Sequence, residues 1–487
     1  MSTYIIAIGG TGARLVEAII HLAAAGVFIF EDPTLRQEDL HIFFIDPDSR
    51  NGNAIARTET LDCYQECHRT VRDVSDGSDQ KPLLWMQTSV KDFASWSPRQ
   101  RGRTLGDIFS RPDLRPSTRS LLDVLYTTRE QDMDLREGFR GRPAVGSGVM
   151  GRLIQDERRW QDLVRNVQEE DKVFLCGSIF GGTGASGFPT LGRLLARDLR
   201  ERRNLRNVKL GGLLMLPYFS FEPPTEDGEI NTHPDDFILR THAALRYYET
   251  HALGLDILYL LGGTPSSTRV QGHHNSGGKD QRNPPHFLEL YGALALRNFV
   301  STEPRGRSDS LEVAHISRQS EDSLSWRDIP ELQVQNRLKY ATRFAFAWLS
   351  AISPDLEYAK RNPKDVRYAL GFFDPKQLRE LSDTEERNIT VIKSWCTSYL
   401  KWLLELHQFG TDQVGWFNCR TFGSLDNDGE PVLNLKDRNQ FTNLIPNEDT
   451  NLYLNHILDS LCPSPEHRGV VGLAKSLYAT ISSRSPT

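Results

Sequence analysis

Cysteine is scarce in this chain. Six residues among 487, at positions 63, 67, 176, 396, 419 and 462, are too few and too scattered for a disulfide scaffold, so reduced thiols in the cytoplasm are expected. Cys63 and Cys67, followed by His68, fall one helical turn apart. No second ligand pair follows at zinc spacing, and no metal centre is expected from them. Positive charge is not in excess either: 58 Lys and Arg stand against 64 Asp and Glu, a formal net charge of −6. Arg-rich stretches such as Arg193 to Arg206 are interrupted by Leu, Ala and Asp, as on a solvated helix face, so no nucleic-acid partner is expected. Long apolar runs are missing. The most apolar early stretch, Leu15 to Phe30, carries Glu17 and His21 and reads as an amphipathic or buried helix, so no membrane partner is expected. No charged leader with a cleavage site is read ahead of the strand-like run Tyr4 to Ile8. A Walker-A lysine loop is also absent, which argues against the P-loop NTPases.

What is present describes a globular chain, with 38% hydrophobic and 25% charged residues and a length that predicts two or three domains. The first part alternates strand and helix signals. Tyr4 to Ile8 is a short apolar run of the kind seen in buried parallel strands; it ends in Gly9-Gly10-Thr11-Gly12, and a helix pattern runs from Arg14 to about Ala25. Further strands are predicted at His41 to Ile45, Lys172 to Cys176, Val208 to Leu216 and Ile257 to Leu261, with helices at about Pro189 to Arg203, Asp235 to His251 and Pro285 to Phe299. This order predicts an open parallel α/β sheet with right-handed crossovers. Residues 54–137 read as an insertion, residues 306–487 as a mainly helical C-terminal domain, and residues 1–305 as the α/β domain that holds the sheet.

Three glycine-rich segments carry the chemistry: Gly9 to Gly12, Gly141 to Gly151 and Gly181 to Gly187. Glycine lets backbone amides curl around an anion, and a following helix N-terminus adds partial positive charge. Thr11, Thr183 and Ser186 add hydroxyls. Loops of this kind converging on the carboxyl edge of a sheet would cradle a polyphosphate without a lysine. A tight turn is the alternative for any one of them. The dinucleotide fingerprint fails because Leu15 stands in place of its third glycine, but Asp46 would suit a ribose contact in such a fold, so an NAD- or FAD-binding oxidoreductase stays open.

The run Gly181-Gly182-Thr183-Gly184-Ala185-Ser186-Gly187 resembles the tubulin signature Gly-Gly-Gly-Thr-Gly-Ser/Thr-Gly, with Phe180 in place of the first glycine, Ala185 where the family has Ser or Thr, and Ser186 for the last glycine. Its surroundings are similar to the FtsZ order. Gly146-Ser147-Gly148-Val149-Met150-Gly151 and Asp171-Lys172-Val173-Phe174 precede it, and Leu216-Pro217-Tyr218-Phe219-Ser220-Phe221-Glu222 follows. The turn Gly9, Gly10, Thr11, Gly12, Ala13, Arg14 matches the family's first phosphate loop, with Arg14 where Asn or Gln is usual, and Asp46 to Asn53 falls where the family has its second nucleotide loop. The resemblance spans about residues 4–300 and is nearest to divergent prokaryotic tubulin-like proteins. It implies a Rossmann-like GTPase sheet of tubulin/FtsZ type with a long central helix at about 285–302, GTP or GDP as ligand with Mg2+, and head-to-tail self-association. It gives Glu222 a ribose contact and gives Phe287 and Tyr291 the base, although helical spacing equally suits two core aromatics.

In that family the hydrolytic carboxylates come from the next subunit. The best match here is Ser323-Leu324-Ser325-Trp326-Arg327-Asp328, in which only Asp328 keeps a carboxylate. Slow GTP hydrolysis at a shared site, with Asp328 as the catalytic group, is therefore one expectation. The other is a non-hydrolysing GTP-bound scaffold or sensor of a bacterial defence or signalling system, with the helical C-terminal region as its partner-binding part.

Overall fold

The computed structural model describes residues 2–30, 39–48, 50–72, 83–85, 88–98, 103–222, 236–263, 269–273, 278–279, 281–302, 311–315, 324–329, 331–408, 414–448, 452–463 and 468–484. Nine strands open the chain: β1 (Ser2–Ile8), β2 (Asp39–Ile45), β3 (Val90–Trp96), β4 (Lys172–Ser178), β5 (Lys209–Met215), β6 (Phe219–Glu222), β7 (Ile257–Leu261), β8 (Arg269–His273) and β9 (Glu312–His315). Seven of them form one sheet in the order β3-β2-β1-β4-β5-β7-β9, and every neighbouring pair is parallel. Strands β6 and β8 pair apart from it. Strands β4 and β5 are buried along their whole length and β1 along all but its first residue. Both faces are therefore covered, which explains why their sequences read as continuous apolar runs rather than alternating ones.

The longer helices of this part are α1 (Gly9–Ala24), α2 (Gly52–Arg72), α3 (Pro116–Leu125), α4 (Pro143–Leu153), α5 (Arg158–Asn166), α6 (Thr183–Ala196), α7 (Asp236–Thr250) and α8 (Phe287–Ser301). Two adjacent glycines of β5 separate the faces. Gly211 lies under Phe299 of α8 and Gly212 under Phe188 of α6, and successive strand residues point to opposite sides. Gly292 of α8 in turn meets Leu15 of α1, so α1 and α8 share one face and α6 takes the other.

Residues 54–137, read from sequence as one insertion, divide in the structure. Helix α2 packs on α1, and β3 extends the sheet beside β2, so both are integral to it. Residues 103–137 form short helical turns and α3, whose Leu121, Val124 and Leu125 are exposed. The glycine-rich segment 146–151 is not a loop. Pro143 opens α4 at a position where a missing N–H costs nothing, and the small residues let α4 lie close against α6. Helix α6 likewise starts at Thr183 rather than Pro189, directly from the glycine turn.

Beyond β9 the chain is mainly helical, with α9 (Leu332–Ala347), α10 (Asp383–Gln408) and α11 (Gly469–Arg484), plus a small hairpin of β10 (Gly423–Leu425) and β11 (Pro431–Leu433). These helices pack back onto the sheet domain: α10 lies along α2, and His21 of α1 stacks on Trp402 of α10 at 4.7 Å. All six cysteines are free thiols, and buried Cys67 donates to the Val391 carbonyl at 3.6 Å. No helix among the described residues is long and apolar enough to cross a membrane.

Candidate functional site

The carboxyl ends of β1 and β4, neighbours in the sheet, each run straight into a helix. The first turn passes through Gly9, whose φ of +74° is a left-handed conformation that favours glycine. Helix α1 has no side-chain cap and no acidic residue in its first turn, and α6 is built the same way with Gly182 at its N-cap. The first amides of both helices are thus left to an outside acceptor, beside two partial positive charges. Glycine is needed for close approach as well: a Cβ on Gly184 would lie 2.7 Å from the Ser178 backbone N and O, and one on Gly182 would lie 2.8 Å from the Gly141 amide. From β1 the chain crosses to β2, and from β4 it crosses to β5 on the other side, so the two turns meet at the switch point where α/β sheets bind ligands.

A cleft open to solvent lies over this point. Gly9, Gly10 and Thr11 line it on one side and Gly181, Gly182, Thr183 and Gly184 on the other. Phe180, Phe219 and Phe237 form an aromatic wall, with the Phe180 and Phe237 rings 4.7 Å apart. The loop Gly138-Phe139-Arg140-Gly141, between a short helical turn and α4, completes that side.

Arg14, one helical turn beyond Gly10, forms part of the lining although its side chain is only 3% exposed. Its Nε donates to Glu289 Oε1 at 2.6 Å and its Nη2 to the Tyr218 hydroxyl at 2.5 Å, while Tyr218 donates to the same Glu289 oxygen at 2.7 Å. The second oxygen of Glu289 accepts from the His286 amide at 3.0 Å, closing a capping box at the start of α8. Burial alone would lower the Arg14 pKa, but Tyr218 and Glu289 together raise it, so the guanidinium is held charged. His286 is pushed down to about 3 by burial and by Arg14, and is neutral near pH 7.

Opposite the aromatic wall stand four carboxamides. Asn51 Nδ2 donates to Gln281 Oε1 at 2.7 Å, and Asn53 Nδ2 donates to Asn283 Oδ1 at 3.2 Å. Backbone amides set their orientation: Asn53 N donates to Asn51 Oδ1 at 2.9 Å and Asn283 N to Asn53 Oδ1 at 2.8 Å. A backbone N–H can only donate, so the oxygens of Asn51 and Asn53 must face it. Asp46 and Asp48 end this wall. Asp46 Oδ1 accepts from the Asp48 amide at 2.9 Å, and Asp48 accepts from the Arg50 and Gly278 amides at 3.0 and 2.6 Å.

Of the residues singled out from sequence, Gly9, Gly10, Thr11, Arg14, Asp46, Gly181, Gly182, Thr183 and Gly184 meet around the cleft. Gly12, Ala13, Ala185, Ser186 and Gly187 sit inside the two helices and serve their packing; Gly12 faces the Ala7 backbone, where a Cβ would lie 2.8 Å away. Gly146, Ser147 and Gly148 belong to α4, where the Ser147 hydroxyl donates to the Ser186 carbonyl at 3.4 Å. Glu222 ends β6 opposite His273, and its side chain is outside the described part. Phe287 and Tyr291 do not line the cleft. They are core aromatics: Phe287 packs on His286, and the Tyr291 hydroxyl donates to the Asp328 carbonyl at 3.2 Å. Asp328 caps its own short turn, accepting from the Ser325 amide at 2.7 Å, and Ser323 lies outside the described residues. Sequence reasoning missed the 138–141 loop, Gln281 and Asn283. Their signals were a Gly-x-x-Gly without a strand before it and a polar stretch ahead of a helix, neither specific.

No family model matches the chain, and no curated protein matches it. Solved structures similar to it include CetZ from Methanosaeta thermophila strain DSM 6194, at 13% identity over 62% of this chain and 54% of that one, and CetZ2 from Haloferax volcanii, solved as a GTPγS-bound protofilament, at 15% identity over 62% and 58%. The TM-score is 0.28 for each, and the chain spans little more than half the length of either.

Proposed function

We propose that this chain is a tubulin-like nucleotide-binding protein whose cleft holds GTP or GDP, the phosphates lying between the β1–α1 and β4–α6 turns. The observation that carries this reading is the pair of uncapped helix N-termini facing one cleft at the switch point of a parallel sheet. Such a geometry needs no lysine, because each helix offers several backbone N–H donors and a favourable dipole to an anion. The guanine assignment rests on the tubulin/FtsZ resemblance of the motifs. A Mg2+ ion would find cleft-lining carboxylates at Asp46 and Asp48, hard oxygen donors of the kind it prefers. Self-association head to tail, with the nucleotide between subunits, is part of the same reading, as is a cytoplasmic setting.

Whether the nucleotide is hydrolysed separates two forms of the proposal. Slow hydrolysis with Asp328 supplied to a neighbouring subunit is one. The non-hydrolysing scaffold is favoured by a specific observation: the Asp328 carboxylate is already engaged by the Ser325 amide and hydroxyl of its own turn. Denaturing the purified protein and identifying any released nucleotide tests the core of the reading. GTP or GDP is expected, and release of NAD or FAD, or a failure to bind added GTP, would overturn it. A turnover rate that rises with protein concentration supports the shared site, and turnover that is first order in dilute protein contradicts it.

A further inference from the structure

The glycine turns account for the phosphate half of a nucleotide but leave the Arg14 guanidinium without a task. An arginine guanidinium has five N–H donors and presents two edges with paired N–H groups. At Arg14 the Nε–Nη2 edge is spent on Glu289 and Tyr218, and those partners fix the plane of the group. The outer Nη1–Nη2 edge remains, on a side chain that is nearly buried yet forms part of the cleft lining. Arg14 also lies on the same face of α1 as Gly10, one turn further along, or about 6 Å from the phosphate turn along the helix axis. A nucleoside whose phosphates sit at Gly10 extends past that point.

Carboxamide N–H groups stand nearby. Because backbone amides orient the carboxamides, the oxygens of Asn51, Asn53 and Gln281 are already taken by donors of this chain, and each NH2 group keeps at least one further N–H. Glu289 cannot serve as an acceptor for a base, since both its oxygens are engaged in the Arg14 network and its side chain is 1% exposed. The part of a ligand beyond its phosphates can therefore meet N–H donors at Arg14, Asn51 and Asn53, with the acceptor carboxylates of Asp46 and Asp48 confined to the end of the wall. A 6-oxopurine offers two acceptors on one edge, O6 and N7, at the spacing a guanidinium edge matches, whereas adenine puts an amino donor where O6 would be.

Resting on the nucleotide-binding reading, we infer that Arg14 is the specificity-determining residue of the cleft: clamped by Glu289 and Tyr218, it reads the O6/N7 edge of a 6-oxopurine nucleotide and leaves the N1–H and 2-amino groups unread. The prediction differs from guanine recognition through its Watson–Crick edge, because hypoxanthine keeps O6 and N7 but lacks the 2-amino group.

The test is competition binding to the full chain, freed of nucleotide, with GTP, ITP, 7-deaza-GTP and ATP as probes. ITP is expected to bind within about threefold of GTP, and ATP and 7-deaza-GTP to bind at least roughly fivefold more weakly, as the loss of a paired base contact implies. Weak ITP binding, or 7-deaza-GTP equal to GTP, overturns the assignment while leaving nucleotide binding intact. If none of the four binds, the nucleotide-binding reading itself has failed. R14Q, checked for folding by its melting curve, should bring the GTP-to-ATP preference towards one. A folded R14Q that keeps the full preference rejects the inference, and if R14Q does not fold, the analogue series on the unaltered chain decides.

Discussion

The sheet half and the helical C-terminal half solve different problems with different residues. Around the cleft, backbone amides, small residues and a few buried polar groups face a cavity. In the C-terminal half, Trp348, Trp395 and Trp402 fill the interior so tightly that their indole N–H groups have no partner among the described residues. The first arrangement gives up packing for an open edge lined by helix amides. The second gives up hydrogen bonds for contact area, because each large ring buries far more apolar surface than its one N–H costs. His21 lies on the seam, its ring stacked on Trp402 and burial pushing its pKa down to about 3. The C-terminal helices thus pack over α1 and α2, away from the cleft, so the proposed binding site and the aromatic interior can be tested separately.

Trp402→Ala should cut hardest at stability alone. Removing a buried indole costs about 3–5 kcal/mol, so the denaturation midpoint should fall sharply while the folded fraction keeps its nucleotide affinity. A parallel loss of affinity would show that the two halves are not separable. Glu289→Ala should cost stability on a similar scale, about 3–5 kcal/mol, by leaving Arg14 charged and unpaired in the interior. The double change Arg14→Met with Glu289→Gln should recover much of it in urea titrations, since no buried charge then remains.

Gly184→Ala should do the reverse of Trp402→Ala. Its new methyl would collide with the Ser178 backbone and shift the α6 amides. Nucleotide affinity should fall about tenfold or more, the worth of one charge-assisted hydrogen bond, with a smaller change in melting temperature.

The seam should also make stability depend on pH. Burial raises Glu17 to about 8, with Glu405 and Glu289 raising it further and Arg282 and Arg14 opposing; Glu405 is raised to about 7 by burial, with Arg282 and Lys401 opposing and Glu430 adding. A carboxyl whose folded pKa exceeds its unfolded one binds more protons when folded, so stability falls as pH rises from about 4.5 through these values. Burial lowers His21 and His286 to about 3 and His407 to about 4, so stability also falls as pH drops below about 6.5. The melting temperature should therefore peak at about pH 6–6.5, where the three histidines and the two carboxyls balance, and Glu17→Gln should flatten the alkaline side. A curve still rising from pH 5 to 8 would contradict these shifts. The smallest effect is expected at Asp328→Ala, about 1 kcal/mol for a lost turn cap. Unchanged nucleotide turnover there would favour the scaffold form, and a clear drop would favour hydrolysis at a shared site.

Much of this was legible in the chain itself. The apolar runs of β1, β4 and β5, the glycine turns after β1 and β4, and the parallel α/β order follow from local rules: a doubly buried strand needs unbroken apolar residues, and a left-handed turn such as Gly9 favours glycine. That local information also left Phe287 and Tyr291 open between base contact and core, and tertiary structure set them in the core. It could not identify Arg14 as a clamped group, because its partners Tyr218 and Glu289 lie 204 and 275 residues away. Nor could it join Asn51 and Asn53 to Gln281 and Asn283, 230 residues on. The sequence alone determined the β1, β2, β4, β5 and β7 strands of the sheet, the glycine turns and the absence of a lysine loop, since each depends on residues next to one another, whereas β3 and β9 joined the sheet only in the fold. Only the tertiary structure decided which polar groups face the cleft and with what polarity, since that depends on which donors distant segments have already satisfied.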